Sequence, residues 1–461
     1  MKTSPRAIGF VSSYLVAVCL TAQAQDWPQY LGENRAAKAA FTAPQTWPKE
    51  LTPTWKVTVG DGVATPALVG DKLYVFSRQE GGEILRCLDA TTGKELWKAD
   101  KFDVLPAERP AQDFAGPRSS PTVAEGKIVT LGLRGTLSCH DAKDGKLLWR
   151  KEDFKGVFPR FFTSASPVVT EGLCIAALGG GDRGGVIAYD LKTGDERWRW
   201  EGEGASYASP VLLTADGAKM VIAEMDKKIL GLAVKDGKVL WETPFVVPGR
   251  GYNAATPMVD GSTLYYGGSG RPLMAVKITK ESDAFVAKQL WQNAETTLQF
   301  NTPVLKNGTL FGLTGNNDFF AISKDGQTAW TAPATPQAAA TTPPPQVTAS
   351  EPASTNAPGV ARGPESGPGR EGRGSGGPGG PGGRGGRGGG RGGYAQLVDA
   401  GAVLLALTPA SELIAFQPTE KAYTEIARLK VASSPTYAYP VVSGKRIFVK
   451  DKDDVTLFTV E

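Results

Sequence analysis

Apolar residues in this chain fall in short unbroken runs, not in alternation and not at helical spacing. Leu73-Tyr74-Val75-Phe76, Leu173-Cys174-Ile175-Ala176, Met220-Val221-Ile222-Ala223 and Ile447-Phe448-Val449 each sit between Gly-Asp or Asp-Gly turns. Runs of that length, bounded by turn residues, predict strands buried on both faces. No segment longer than the first apolar stretch sustains a helical period, so helix should be close to absent. The runs belong to a larger unit: small residue, Pro, three apolar strands separated by Gly turns, then Asp, Gly, a last strand and Trp. Pro66, Pro121, Pro167, Pro210, Pro257 and Pro303 open the unit; Trp97, Trp149, Trp198, Trp241, Trp291 and Trp330 close it. Counted from Trp55, the Trp spacings are 42, 52, 49, 43, 50 and 39 residues. Four strands per unit at that period predict an all-β propeller with four-stranded antiparallel blades.

Six units end on these Trp residues. A seventh spans about Tyr394 to Val431, with Leu429 in place of the Trp. An eighth is read as opening at Ser433-Ser434-Pro435, and it ends after three strands at Val455-Thr456-Leu457-Phe458. Its fourth strand is available at the other end of the chain, where Leu51 to Val59 carries Trp55 without the three strands that should precede it. Eight blades, with the N-terminal strand closing the last, is the predicted architecture; seven is the alternative count. Trp55, Trp97, Trp149, Trp198, Trp241, Trp291 and Trp330 are assigned to blade docking, because a large ring can fill the wedge between diverging blades. Gly93, Gly145, Gly194, Gly237 and Gly326, four residues before a Trp, suit a turn with positive φ.

The ends of the chain change the picture. Lys2 and Arg6, an apolar stretch from Ile8 to Leu20 and Ala22-Gln23-Ala24 form a signal peptide over residues 1–24. Val18 before Cys19 does not make a lipobox, so export without lipidation is expected. Residues 25–50 form an N-terminal extension, and 51–332 hold the closing strand and blades one to six. Residues 333–393 contain 11 Pro and 19 Gly in 61 positions, with Arg-Gly-Gly steps at Arg384, Arg387 and Arg391. That composition predicts a disordered insert, followed by blades seven and eight over 394–461. Net charge is +4 for the whole chain, of which the leader supplies +2 and the insert +3, leaving about −1 on the folded part. A nucleic-acid binder is excluded on that balance. Cys87, Cys139 and Cys174 are too few and odd in number for a disulfide framework.

Leu88-Asp89-Ala90-Thr91-Thr92-Gly93-Lys94-Glu95-Leu96-Trp97 resembles the quinoprotein-type (PQQ-like) repeat. The stretches His140-Asp141 to Trp149 and Tyr189-Asp190 to Trp198 resemble it as well. Trp27-Pro28-Gln29-Tyr30-Leu31-Gly32 is similar to the mature start of exported bacterial propellers of this group. The resemblance covers most of 50–332 and, more weakly, 394–461. It implies either PQQ-dependent dehydrogenases, with PQQ and Ca²⁺ on the channel axis, or non-catalytic BamB-type scaffolds of outer-membrane barrel assembly. The adjacent Cys-Cys pair of many such dehydrogenases is missing here, C-x-x-C-H is missing, and no Ca²⁺ ligand set carries over residue by residue.

No catalytic or metal-binding residue is assigned. His140, the sole histidine, lies inside a predicted strand. Gly179-x-Gly181-x-x-Gly184 matches a dinucleotide fingerprint only on paper, because a strand follows it and not a helix. The candidate ligand site is the channel mouth, ringed by residues just before each opening Pro: Arg118, Arg160, Tyr207, Arg250, Tyr252, Asn253, Gln299, Asn301 and Tyr437. Arg, Tyr and amide groups converging there suit an anionic or planar ligand.

The sequence therefore reads as an exported scaffold or protein-binding module of the periplasm or cell envelope, with an envelope protein as partner and no transmembrane segment in the mature chain. No cofactor is assigned, and the insert is a candidate contact for anionic envelope polymers. The alternatives are a PQQ- and calcium-dependent alcohol or sugar dehydrogenase with a degenerate site, and a carbohydrate- or cell-wall-binding module.

Overall fold

A computed structural model describes residues 25–109, 111–249, 251–335 and 394–461. The leader and nearly all of the Pro/Gly/Arg-rich insert lie outside the described residues. The chain divides into two units: one made of residues 1–334 and 392–461, which is described below, and one spanning 335–391.

The described residues form 33 strands and no helix, arranged as eight antiparallel sheets. The protein is an eight-bladed β-propeller. Blade one consists of Ala67–Val69, Lys72–Gln79, Gly82–Asp89 and Glu95–Lys98, in that order from inside to outside. Blades two to seven repeat the order, opening with Thr122–Ala124, Val168–Thr170, Val211–Ala215, Met258–Asp260, Val304–Lys306 and Gln396–Ala400. Middle strands are almost wholly buried because each sheet has a neighbour on both faces. This is why they read as continuous apolar runs and not as alternation.

Blade eight is completed by the chain's own start. Pro53–Thr58 pairs antiparallel with Asp454–Thr459, placing Trp55 opposite Leu457. Thr58 Oγ1 donates to Asp454 at 2.6 Å, and Lys56 pairs with the same carboxylate at 2.7 Å. One boundary differs from the sequence expectation. The inner strand of this blade is Val441–Ser443, so Pro440 occupies the opening position and Pro435 lies in the preceding loop.

The repeated Trp and Gly form one device. Trp55, Trp97, Trp149, Trp198 and Trp291 each sit on the turn of the next blade, where a Cβ added to the glycine would clash with the indole, whereas Trp330 meets a turn without glycine and donates to Thr419 O at 2.8 Å. The nearest approach would be 2.8 Å for Gly93 on Trp55, 2.6 Å for Gly145 on Trp97 and 2.7 Å for Gly194 on Trp149. Four of these indoles also cap the turn, Trp149 donating to Leu191 O at 3.0 Å and Trp198 to Val234 O at 2.8 Å, whereas among the described residues the Trp97 indole nitrogen is buried without a hydrogen bond. The turn is pre-shaped by its Asp, since Asp89 Oδ1 accepts from the amides of Thr91 and Thr92 at 3.0 and 2.8 Å. Blade five breaks the rule. Its last two strands, Arg271–Glu281 and Ala284–Asn293, form a long hairpin without the glycine turn. Trp241 accordingly has no such seat, and its indole nitrogen is buried without a partner.

A second ladder joins the blades near the axis. The residue before each opening Pro is Ser or Thr in the first six blades, and in blades two to five its backbone N–H reaches the hydroxyl of the next blade. Ser120 donates to Ser166 (2.9 Å), Ser166 to Ser209 (2.9 Å), Ser209 to Thr256 (3.0 Å) and Thr256 to Thr302 (3.0 Å). Tyr439 closes the seam between blades eight and one by donating to Thr65 Oγ1 at 2.9 Å. These amides lie beyond the reach of the strand ladder, so the hydroxyls satisfy donors that would otherwise be buried unpaired.

Candidate functional site: channel mouth and axis

The loops entering the inner strands carry a chain of half-buried aromatic rings. Phe161 contacts Tyr252 at a centroid distance of 4.9 Å, and Tyr207 bridges the two at 6.2 and 5.6 Å. Tyr252 stacks on Phe300 at 6.2 Å, Phe300 meets Tyr394 at 6.1 Å, Tyr394 meets Tyr437 at 4.9 Å, and Tyr437 meets Phe114 at 4.9 Å. Seven loops thus contribute one ring each to a belt around one mouth. The Tyr207 hydroxyl accepts from the Phe161 amide at 2.8 Å, and burial raises its pKa to about 12, so it stays protonated.

Of the residues singled out from sequence, Tyr207, Tyr252 and Tyr437 are in this belt. Arg160 is exposed, with its guanidinium 5.7 Å from the Phe161 ring. Arg118 is half-buried and donates to the carbonyls of Ala111, Phe114 and Gly116 at 3.1 to 3.4 Å; burial lowers its pKa. Gln299 is half-buried beside Gly315. Arg250 lies outside the described residues. Asn253 and Asn301 are both buried. The Asn253 amide donates to the carbonyls of Met225, Asp226 and Phe245 and accepts from Arg271, while Asn301 accepts from the Leu313 amide. A loop amide next to an inner strand is used here to satisfy backbone, which residue type alone does not reveal. Phe114, Phe161, Phe300 and Tyr394 went unnoticed because the expectation followed polar residues. An aromatic two to eight residues before the inner strand, in every blade but the first, was the available signal.

Inside the ring lies a feature that no motif announced. Residues 25–44 line the open edges of the inner strands. Trp27 exchanges two backbone hydrogen bonds with Leu68 of blade one (2.8 and 2.9 Å), and Pro28 O accepts from Val123 of blade two (2.8 Å). The strap then runs along blades seven and eight, which adjoin blade one from its other side. Asp399 of blade seven bonds to Ala37 and Ala39, and Gly444 of blade eight bonds to Ala40 and Thr42. Between the two runs, Arg35 spans to blades three and four. It donates to Ser166 O at 3.2 Å, Pro210 O at 2.7 Å and Pro167 O, with its Nε on Gln29 at 2.9 Å. Its guanidinium is buried with no carboxylate partner among the described residues, and burial pushes its pKa down to about 9, which leaves it charged at neutral pH. Tyr30 packs edge-on against Tyr439 at 5.6 Å. Leu31, Arg35 and Ala37 all have φ between 51° and 62°, a conformation that non-glycine residues adopt only when the surroundings impose it.

This strap bears on the PQQ and Ca²⁺ of the alternative reading. Arg35 bonds to blades three and four while its neighbours bond to blades one, two, seven and eight, so the strap crosses the ring, and its buried guanidinium opposes a divalent cation. Among the described residues no three or more His, Cys, Asp or Glu side chains gather to hold a metal ion. The residues present do not fit that cofactor pair. His140 is likewise committed elsewhere: it is buried in a blade with Nδ1 3.1 Å from Gly145 O. The Gly179 to Gly184 stretch is a β-hairpin, with Gly180 paired to Arg183. Cys87, Cys139 and Cys174 are free thiols, all buried.

Comparison with known proteins places this ring in a family. The family model described as outer membrane protein assembly factor BamB matches residues 44–182 and 80–332. Methanol dehydrogenase (cytochrome c) subunit 1 of Methylobacterium organophilum is 30% identical over 236 residues, covering 49% of this chain and 36% of that protein. Outer membrane protein assembly factor BamB of Shewanella oneidensis is 22% identical over 232 residues, covering 46% and 55%. The chain thus spans between about a third and a half of these relatives' lengths. Among solved structures, BamB from Moraxella catarrhalis superposes with a TM-score of 0.57 at 14% identity, covering 89% of this chain and 100% of that one. Quinohemoprotein alcohol dehydrogenase from Comamonas testosteroni gives 0.59 at 14% identity, with 94% and 80% coverage. At those identities the structural likeness concerns the fold.

Proposed function

Because the chain belongs to the family of outer membrane protein assembly factor BamB, we propose that it acts as an exported, non-catalytic propeller that binds another protein in the cell envelope. The observation that carries this reading is the strap: the channel that could take an axial cofactor is occupied by the chain's own residues 25–44. What remains for function is the surface. The mouth with its aromatic belt, flanked by Arg160 and Gln299, offers the mixture of Tyr, Phe and Arg that protein-binding surfaces favour. The leader over 1–24 would deliver the ring across the inner membrane, and no described helix is long and apolar enough to cross one.

A second reading, a PQQ-dependent dehydrogenase, draws on the 30% identity to methanol dehydrogenase. Photo-crosslinking residues placed at Arg160 and Gln299 in the native host separate the two, with Lys238 in an outer turn as control. The scaffold reading expects a discrete protein adduct from the mouth positions and none from the control. Absence of adducts, together with dye-linked alcohol or sugar oxidation by the protein supplied with PQQ and Ca²⁺, would overturn it.

A further inference from the structure

The seam between blades one and two encloses a space of about 10 Å³, bordered by Glu83, Thr130, Ser138, His140 and Arg150. That is the lower limit for holding one water. The polar lining departs from the repeat. By strand register, His140 stands where blades one, three and four carry Leu88, Tyr189 and Leu232. Thr130 stands where they carry Val75, Ala176 and Ala223.

Glu83, His140 and Arg150 each spend one polar atom on the protein and keep another. Glu83 Oε1 accepts from the Leu133 amide at 2.7 Å. His140 Nδ1 lies 3.1 Å from Gly145 O. A carbonyl only accepts, so Nδ1 carries the proton and Nε2 of the neutral ring is an acceptor. Arg150 Nε donates to Ser138 Oγ at 2.9 Å. Among the described residues Glu83 Oε2, Thr130 Oγ1, His140 Nε2 and the terminal nitrogens of Arg150 have no hydrogen bond, yet none of these atoms is sealed from water. Glu83, Thr130 and His140 are only 2 to 5% exposed, so the enclosed space is where a water reaches them.

We propose that this space holds one internal water bonded to Glu83, Thr130, His140 and Arg150, and that turning of this water lets the Glu83 carboxyl exchange its proton with solvent while the seam stays closed. With Glu83 ionised, the water donates to Glu83 Oε2 and His140 Nε2 and accepts from Thr130 and Arg150. With Glu83 protonated at Oε2, the carboxyl donates to the water. The water still accepts from Arg150, and it donates to His140 Nε2 and Thr130 Oγ1. Four hydrogen bonds are made in both states, and no buried polar atom of the cluster is orphaned in either. The charged groups acting on Glu83 are Arg78 of blade one, Arg150 of blade two and Arg118 from the loop carrying Phe114, with Asp100 on the border of the space. Burial outweighs the three arginines and raises the carboxyl to about 7, whereas burial lowers His140. Glu83 therefore titrates beside an imidazole that is still neutral.

His140 is the sole histidine, so isotope labelling of histidine nitrogen in the untagged mature protein gives one imidazole to follow by NMR. The proposal expects a neutral ring protonated at Nδ1. Its Nε2 signal should shift with a midpoint of about 7 and lose that shift in Glu83→Gln. Wild-type crystals grown on either side of that midpoint should both show one water within hydrogen-bonding distance of Glu83 and His140, a result that stands even if Glu83→Gln does not fold. A ring protonated at Nε2, a midpoint unmoved by Glu83→Gln, or a space without water in either crystal would overturn the proposal.

Discussion

Two glycines of blade three provide a controlled test of the blade-docking device. Gly172 and Gly194 both have left-handed backbone, with φ of 71° and 77°. A Cβ on Gly172 would meet nothing within 4 Å, whereas one on Gly194 would lie 2.7 Å from Trp149 Cγ and 2.9 Å from Cδ2. Alanine at either position carries the same backbone penalty, about 1–2 kcal/mol. At Gly194 it must also displace an indole that is 8% exposed and hydrogen-bonded to Leu191 O at 3.0 Å. Overpacking of that kind adds about 1–3 kcal/mol, and expulsion of the ring would approach the roughly 3–5 kcal/mol of a lost buried Trp. Gly194→Ala should therefore cost at least about 1 kcal/mol more than Gly172→Ala. Urea unfolding followed by far-ultraviolet circular dichroism reads the difference. In a Trp149→Leu background the gap should shrink, because the clash has lost its partner. Equal costs for the two alanines, or a gap that persists without the indole, would refute the docking mechanism.

Other consequences follow from buried groups and from ring closure. Burial pushes the Glu83 carboxyl up to about 7, against the opposing pull of the Leu133 amide and of Arg78, Arg150 and Arg118. Because the folded state holds this proton more tightly, stability should fall as pH rises from about 4.5 to 7 and level off above, by roughly 3 kcal/mol in total. Glu83→Gln should flatten that limb of the stability–pH curve; an unaltered limb would remove Glu83 as its source. Deleting residues 25–58 removes both the strap and the outer strand of blade eight, and should abolish a single sharp melting transition. An unchanged Tm would contradict the closure. Burial raises the Cys87 thiol to about 11 and Cys139 to about 12, and pushes Cys174 up as well. All three should resist a thiol reagent at pH 8 until urea is added, and rapid labelling of the native ring would show that these strands open.

The architecture was legible because the blade environment dictates sequence at three separate levels. Double-sided burial wrote the unbroken apolar runs, the Trp seat wrote the Asp–Gly–Trp spacing, and the missing outer strand of the last blade pointed to Trp55. Much of the site was not legible, for physical reasons. The strap uses backbone hydrogen bonds to Leu68, Val123, Asp399 and Gly444, which any residue type could make. Arg35 satisfies itself on carbonyls, so no carboxylate partner in the sequence advertised it. Asn253 and Asn301 carry polar side chains yet serve buried backbone, while Phe161 and Phe300 are apolar yet stand at the mouth. Polarity was a poor guide there because a loop packed between two blades must satisfy its own peptide groups before it can offer any to a ligand.

The account turns on an axis filled by the protein itself, and titration with PQQ in the presence of Ca²⁺ addresses that most directly. Mature protein mixed with both at micromolar concentration, passed through gel filtration and read by quinone absorbance, should emerge without cofactor and without binding heat in calorimetry. One PQQ retained per chain, with dye-linked turnover of an alcohol or sugar, would show that the strap yields the axis and would contradict the account.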